Sequence, residues 1–192
     1  MANYNRLVRI DYPVSSDVEY FYGGPRDDGN RAGRIKKIID ESGITEYHYG
    51  KLGEEVKTDK TMDFLVPGQK PWKFTTHTGY DYLGRVQSII YPDKEHVNYI
   101  YDRGGQIKAV HGKKQGDHYD YVKEIYYDEF GQRVYIKYGN DVETRYTYDP
   151  YRRWLSALDT QGSYGTAFQE LSYAFDRVGN VLSIENTARD VR

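Results

Sequence analysis

The 192-residue sequence contains no cysteine, and that single absence excludes a disulfide scaffold, a thiolate zinc site and thiol catalysis. It also lacks an excess of either charge. With 27 basic against 29 acidic side chains the formal net charge is −2, so there is no basic field to hold a polyphosphate backbone, and no nucleic-acid partner is expected. No apolar run approaches the ~20 residues of a membrane-spanning helix, so no membrane insertion is expected of this segment. The opening residues Met1-Ala2-Asn3-Tyr4-Asn5-Arg6 lack the apolar stretch of a signal peptide, which places any export address elsewhere. Helix formers are scarce, with only 17 Ala, Leu and Met together. Leu, Ile, Val and Phe are sparse enough to approach the composition of disordered chains, but disorder also requires a high net charge, so the chain is expected to fold.

Tyrosine is abundant, at 22 residues, and with Val, Ile and Thr it biases the chain strongly toward strand. These aromatics recur with a period. Anchors at Tyr22, Tyr49, Tyr80, Tyr101, Tyr127, Tyr148 and Phe175 are separated by 27, 31, 21, 26, 21 and 27 residues. A second aromatic commonly sits two residues upstream, as in Tyr20/Tyr22, Tyr47/Tyr49, Tyr99/Tyr101, Tyr146/Tyr148 and Tyr173/Phe175. Strand side chains alternate in direction, so each pair shares one face. In Val142–Tyr148 the residues Val142, Tyr146 and Tyr148 line one face while Glu143, Arg145 and Thr147 line the other, the pattern of a half-buried antiparallel strand.

Downstream of the anchor comes Asp-x-x-Gly, with Asp81 and Gly84, Asp102 and Gly105, Asp128 and Gly131, and Asp176 and Gly179. The spacing fits a tight hairpin tip: the Asp carboxylate accepts nearby backbone N–H groups, and Gly supplies the left-handed conformation of a G1 bulge. Three tips depart from the pattern. Gly50 stands where Asp is expected, residues 23–32 form a Gly/Asp/Pro-rich insertion, and Asp149-Pro150-Tyr151-Arg152-Arg153 has no Gly, so a different turn is expected there. Further insertions are expected near 57–75, as a hairpin or loop, and near 111–118 and 159–169.

Tandem units such as Tyr80-Asp81-Tyr82-Leu83-Gly84-Arg85-Val86 and Tyr101-Asp102-Arg103-Gly104-Gly105-Gln106-Ile107, with a variant at Tyr127–Val134, resemble the YD-repeat or RHS (rearrangement hotspot) family over roughly residues 18–186. The family includes bacterial polymorphic toxins, the B and C components of insecticidal toxin complexes, and teneurins. The resemblance implies a spiralling β-sheet that forms a hollow shell, which in the toxin members encloses a C-terminal effector. Many toxin cores end in an Asp-Pro-x-Gly-Leu self-cleavage signature; here Asp149-Pro150 continues Tyr151-Arg152, so autoproteolysis is not transferred. The expected fold is all-β: tandem antiparallel hairpins in a curved, open, solenoid-like sheet, an arc of an RHS shell, with residues 1–192 forming one array of about seven hairpins. About a dozen strands at ~4.8 Å spacing exceed what an open twisted sheet holds without curling or splitting.

The anchor tyrosines are read as sheet packing, each hydroxyl bonded to the next repeat, because they follow the period rather than cluster at one place. Trp72, Tyr151 and Trp154 lie off the pattern and are the better candidates for a sugar or protein contact. His48, His77, His96, His111 and His118 have no zinc-helix spacing, and Asp27-Asp28-Gly29-Asn30 lacks the alternating acids and closing Glu of a calcium loop. No Gly-x-Ser-x-Gly elbow or phosphate-binding Gly-x-x-x-x-Gly-Lys is present. No catalytic residue, metal or cofactor is expected. The expected role is a non-catalytic segment of a large secreted or surface-exposed bacterial protein. Its expected partners are the remaining repeats and an enclosed effector, with edge-to-edge self-association open to its free strands. The alternative is a cell-surface adhesion or carbohydrate-binding module.

Overall fold

Alternating side chains and Asp/Gly tips favour hairpins, and hairpins are what form. The computed structural model describes residues 5–62 and 70–188; Pro67-Gly68-Gln69, within the expected insertion at 57–75, lies outside the described residues. Fifteen strands follow one another: β1 (Arg9–Ile10), β2 (Val18–Tyr22), β3 (Ile35–Asp40), β4 (Gly43–Tyr49), β5 (Glu55–Met62), β6 (Trp72–Tyr80), β7 (Val86–Ile90), β8 (His96–Tyr101), β9 (Ile107–Lys114), β10 (Asp117–Tyr127), β11 (Arg133–Tyr138), β12 (Glu143–Tyr148), β13 (Leu155–Gln161), β14 (Ala167–Phe175) and β15 (Val181–Asn186). The described residues contain no helix. Strand order in the sheet is sequence order, and the sheet is open.

The chain divides into two compact units, Met1–His96 with β1 to β7 and Val97–Arg192 with β8 to β15, the first residue of β8 falling at the boundary. Within each unit, strands pack only against their sequence neighbours, so each unit is a single layer. The burial follows from that. Val97, Ala109, Ile125 and Ile136 are the buried apolar residues, Asp59 and Thr144 the buried polar ones, and no described side chain is completely buried. With no second layer to pack against, cohesion rests on the ladders and on cross-strand side-chain pairs. In β12, Thr144, Tyr146 and Tyr148 are at least half-buried while Arg145 and Thr147 are exposed.

Seven tips join β2–β3, β4–β5, β6–β7, β8–β9, β10–β11, β12–β13 and β14–β15. At the third, Asp81 N donates to Arg85 O (2.9 Å) and Gly84 N to Asp81 O (3.0 Å). Asp81 Oδ1 accepts from Leu83 N (2.9 Å) and Arg85 N (3.0 Å). Gly84 has φ of +77°, the left-handed position of a G1 bulge. The same backbone pair recurs at Asp102, Asp128 and Asp176. At Gly50 the missing carboxylate is replaced from the other side of the turn, where Glu54 Oε2 accepts from Leu52 N (2.9 Å). The tip without Gly is one residue longer: Arg153 N donates to Asp149 O (2.9 Å) and Arg153 itself takes φ of +61°.

Of the two forms open to the expected insertions, hairpin or loop, the described residues take paired strands. Of 57–75, the described part is the end of β5 and the start of β6; 111–118 is the outer part of the β9–β10 hairpin; 159–169 is the end of β13, a turn and the start of β14. Period-two patterning misses these strands because both faces carry polar residues there, as in Lys113 opposite His118 and Thr160 opposite Gln169. The insertion at 23–32 is a loop that folds back on β4, with Tyr49 N donating to Gly29 O (3.0 Å) and Asn30 Nδ2 to Tyr49 O (2.9 Å).

Two tip glycines separate conformational strain from lack of space. A Cβ on Gly84 meets nothing within 4 Å, whereas one on Gly179 (φ +95°) would lie 2.9 Å from the Trp154 ring. Gly84→Ala is expected to cost about 1–2 kcal/mol, the left-handed penalty alone. Gly179→Ala is expected to cost more, with the surplus removed in a Trp154→Ala background. Chemical denaturation of the parent and the four variants, Trp154→Ala and the double variant included, checks this, and equal losses at both glycines would refute the spatial assignment.

Candidate functional site

The repeat's distinctive chemistry is concentrated at the tip ends of the strands. Between hairpins the ladder stops short of the tips: its last pair on that side is Lys37–Glu46 for β3–β4, Lys57–His77 for β5–β6 and Tyr135–Arg145 for β11–β12. In β3, β5, β9 and β11 the first carbonyl of the returning strand is taken instead by the anchor hydroxyl of the following repeat. Tyr49 donates to Ile35 O (2.6 Å), Tyr80 to Glu55 O (3.1 Å), Tyr127 to Ile107 O (3.0 Å) and Tyr148 to Arg133 O (2.9 Å). Tyr22 does the same to Leu7 O (2.8 Å). The bond therefore runs back to the preceding repeat, not forward to the next, because the anchor's own returning strand is already tied to it through the tip. Tyr101 ends β8 half-buried. Phe175, without a hydroxyl, packs on Tyr173 and Trp154 instead, at centroid distances of 6.5 and 5.2 Å.

Each acceptor named after a tip lies two residues past its glycine: Ile35 after Gly33, Glu55 after Gly53, Ile107 after Gly105, Arg133 after Gly131. At three of these tips the residue between them makes a second link. Gln106 Nε2 donates to Gly131 O (3.3 Å) and Gln132 Nε2 to Arg153 O (2.8 Å), each reaching the next tip. Arg34 lies against Gly53, where a Cβ would come within 2.4 Å of its guanidinium. Asp102 and Asp128 accept from Gln106 N (2.9 Å) and Gln132 N (2.8 Å), and Asp176 from Val178 N and Asn180 N (both 2.9 Å).

Trp154 occupies this linking position. Its carbonyl closes the longer tip by accepting from Asp149 N (2.8 Å), its ring seats against Gly179, and Arg152 covers it at 4.8 Å. The extra residue in Asp149–Arg153 hides this register in the sequence. Tyr151 projects from the same tip, 93% exposed, and Trp72 opens β6 at 53% exposure beside Phe74. Trp72 belongs to one unit, and Tyr151 and Trp154 to the other.

Periodicity gave no sign of the charged cluster on the face of β4–β6 that pairs Glu46, Asp59 and Thr75. Asp59 is 3% exposed. It accepts from Thr75 Oγ1 (2.6 Å) and pairs with Lys57 (2.8 Å), Lys73 (3.3 Å) and His48 (3.6 Å). Burial alone would raise its pKa, but hydrogen bonds from Lys57, Thr75 and Lys73 outweigh that and hold the carboxyl well below the usual carboxylate range. His48 is pushed down by burial and by Arg31 and Lys57. Arg31 Nη2 lies within 2.9 Å of both its ring nitrogens. This is a satisfied ion network, and no group of three or more His, Asp or Glu able to hold a metal ion occurs among the described residues.

Both networks have a pH signature. Burial raises the phenol pKa of Tyr49, Tyr80, Tyr127 and Tyr148 above the ordinary 10.0. The stability they contribute is thus present below pH 10 and lost as the pH rises through the folded values. Tyr148→Phe is expected to lose about 1 kcal/mol at neutral pH and to show a smaller alkaline fall in Tm than the parent; identical Tm profiles from pH 8 to 11 would mean the hydroxyl is idle. For Asp59 the sign is opposite, with stability present above the ordinary carboxylate value and lost as the pH falls. Asp59→Asn is expected to destabilise by about 1–3 kcal/mol at pH 7, the gap to the parent narrowing in acid denaturation toward pH 2.

No family model matches the chain. Toxin subunit YenC2 of Yersinia entomophaga is 34% identical over 125 residues, covering 62% of this chain and 13% of the subunit. Toxin subunit YenC1 of the same organism is 35% identical over 118 residues, covering 58% and 11%. This chain therefore spans only about an eighth of the curated relatives it matches. Among solved structures, the crystal structure of TcdB2-TccC3-Cdc42 superposes with a TM-score of 0.80 at 24% identity over 95% of this chain and 10% of that one. The Photorhabdus luminescens Tc holotoxin pore gives 0.80 at 23% identity over 94% and 9%. The repeat register, the tip chemistry and the sequence match to the toxin subunits agree: the chain is homologous to Tc toxin components of the RHS-repeat shell type.

Proposed function

We propose that the chain is a non-catalytic structural segment of a larger bacterial Tc-type toxin component, contributing hairpins to a β-sheet wall that encloses a C-terminal toxic effector. The observation that carries this reading is the superposition on TcdB2-TccC3 over 95% of this chain but only 10% of that one. A single-layer sheet supports it. Large apolar side chains such as Val181, Leu182 and Ile184 stay more than half exposed, as expected of a wall segment whose neighbours lie outside it. The repeat chemistry is the same in both units, which supports reading residues 1–192 as one array. Partners on this reading are further repeats of the parent protein and the enclosed effector, and the parent is secreted or surface-exposed.

The tip residues already have structural work: Asp81, Asp102, Asp128 and Asp176 accept backbone N–H groups, and the anchor hydroxyls are bonded. Of the three off-pattern aromatics, Trp72 and Tyr151 are the exposed ones, and they serve the competing adhesion or carbohydrate-binding reading. The parent protein decides between them by limited proteolysis. The region C-terminal to the array is expected to survive in the intact protein under conditions that degrade the same region expressed alone. Equal cleavage in both would overturn encapsulation, and glycan-array binding lost on Trp72→Ala or Tyr151→Ala would favour adhesion.

A further inference from the structure

The insertion at 23–32 lies along the stretch of β4 that the β3–β4 ladder does not reach. That ladder ends at Lys37–Glu46, and the insertion takes over as a strap on the residues that follow. Arg31 Nε donates to Tyr47 O (2.9 Å), Tyr49 N donates to Gly29 O (3.0 Å) and Asn30 Nδ2 donates to Tyr49 O (2.9 Å). None of these bonds involves a group that titrates near neutral pH. The next contact does. Arg31 Nη2 lies 2.9 Å from Nδ1 and 2.8 Å from Nε2 of His48. A guanidinium has only donors, so the imidazole accepts, and only a neutral ring has a nitrogen free to do so.

His48 stands on a face crowded with charge. It pairs across the sheet with Lys57 of β5, which pairs with His77 of β6. One row along the same face lie Lys37 of β3, Glu46 of β4, Asp59 of β5 and Thr75 of β6, and Lys73 reaches Asp59 from β6. Asp59 Oδ2 is 3.6 Å from His48 Nε2. The ring therefore has two neighbours with opposite needs, since Arg31 requires an acceptor and the carboxylate a donor. A neutral imidazole can serve both, one nitrogen to each. A protonated imidazole is a donor at both nitrogens; it still suits Asp59 but has nothing to offer Arg31, and it adds a cation beside Arg31 and Lys57. Imidazole is the side chain that changes charge between about pH 5 and 8, and this cluster holds two, His48 and His77.

We propose that Arg31 and His48 form an acid-sensitive latch, and that protonation of His48 releases the strap 23–32 from the end of β4. Release opens Tyr47 O, Tyr49 N and Tyr49 O to water, while the Lys37–Glu46 ladder and the hydroxyl bond from Tyr49 to Ile35 O keep β4 in the sheet. The surroundings of the ring fix the sign. Burial, Arg31 and Lys57 hold its pKa below the ordinary 6.5, outweighing Asp59 and Glu46, so the closed strap binds the proton more weakly than the open one. Closure is fully supported above the ordinary value and weakens as the pH falls through the lower value of the closed state.

Amide hydrogen exchange in the full chain, expressed as protection relative to the free-peptide rate at each pH, reads the latch at Tyr49 N, the donor to Gly29 O. Between about pH 7.5 and about pH 5.5, protection there is expected to fall about fivefold, the worth of one net hydrogen bond. Protection at Gly84 N, in a tip without histidine, is expected to stay constant. His48→Gln keeps an acceptor for Arg31 that does not titrate, and its protection at Tyr49 N is expected to be the same at both pH values. His77→Gln is expected to respond as the parent does. Protection at Tyr49 N that ignores pH in the parent would overturn the latch, as would a response that survives His48→Gln or disappears in His77→Gln. Titration of the His48 ring protons by NMR tests the same point in the unmodified chain: a midpoint below 6.5 that tracks the loss of protection is expected, and a midpoint at or above 6.5 would refute release by the proton.

Discussion

The structure depends on a bond made where the ladder ends. Antiparallel pairing between successive hairpins gives out before the tips, and a strand whose first carbonyl is unpaired would fray. The anchor hydroxyl closes that gap with a neutral donor held above its ordinary pKa by burial. A phenylalanine in the same place keeps the ring and loses the bond, as at Phe175, where Trp154 and Tyr173 fill in by ring packing. Tyrosine is abundant in this chain because each repeat needs one side chain that both covers apolar surface and carries a donor to its far end.

A single-layer sheet has no core to lean on, and its cohesion is distributed. One link is the hydroxyl bond. Another, at four of the tips, is the side chain after the left-handed residue, which reaches the next tip as a hydrogen-bond donor (Gln106, Gln132), a guanidinium (Arg34) or an indole (Trp154). These fill one position with different chemistry, and the tip glycines they touch at Gly53, Gly131 and Gly179 serve twice, by backbone conformation and by leaving room. On the opposite face of β4–β6, Asp59 is buried between Lys57 of its own strand and Lys73 of the neighbouring one. Nearest-neighbour stabilisation of this kind is the energetic signature of repeat arrays.

Much of this was legible in the residues, for physical reasons that differ from element to element. Asp-x-x-Gly encodes its own turn within five residues, so the tips at Asp81, Asp102, Asp128 and Asp176 stand in the sequence. Turns of the same geometry at Tyr91–Glu95 and Tyr138–Val142 place Lys94 and Asp141 in the left-handed position, and at Gly162–Thr166 Gly165 takes it while Gly162 stands where the Asp would be. The outer parts of β9, β10, β13 and β14 were hidden by polar residues on both faces. Trp154 was displaced from its repeat register by one extra turn residue.

Sequence by itself determined the hairpins, their number and the aromatic that ends each rising strand. All of these follow from local turn chemistry and from a side-chain period of two, which act over a few consecutive residues. Tertiary structure alone decided which carbonyl each phenol takes, what Trp154 rests on, and that Asp59 gathers Lys57, Lys73 and Thr75. The hydroxyl bonds join residues 14 to 25 positions apart, across a register that bulges shift beside nearly every anchor. No local pattern carries that offset; it exists only once the strands are paired.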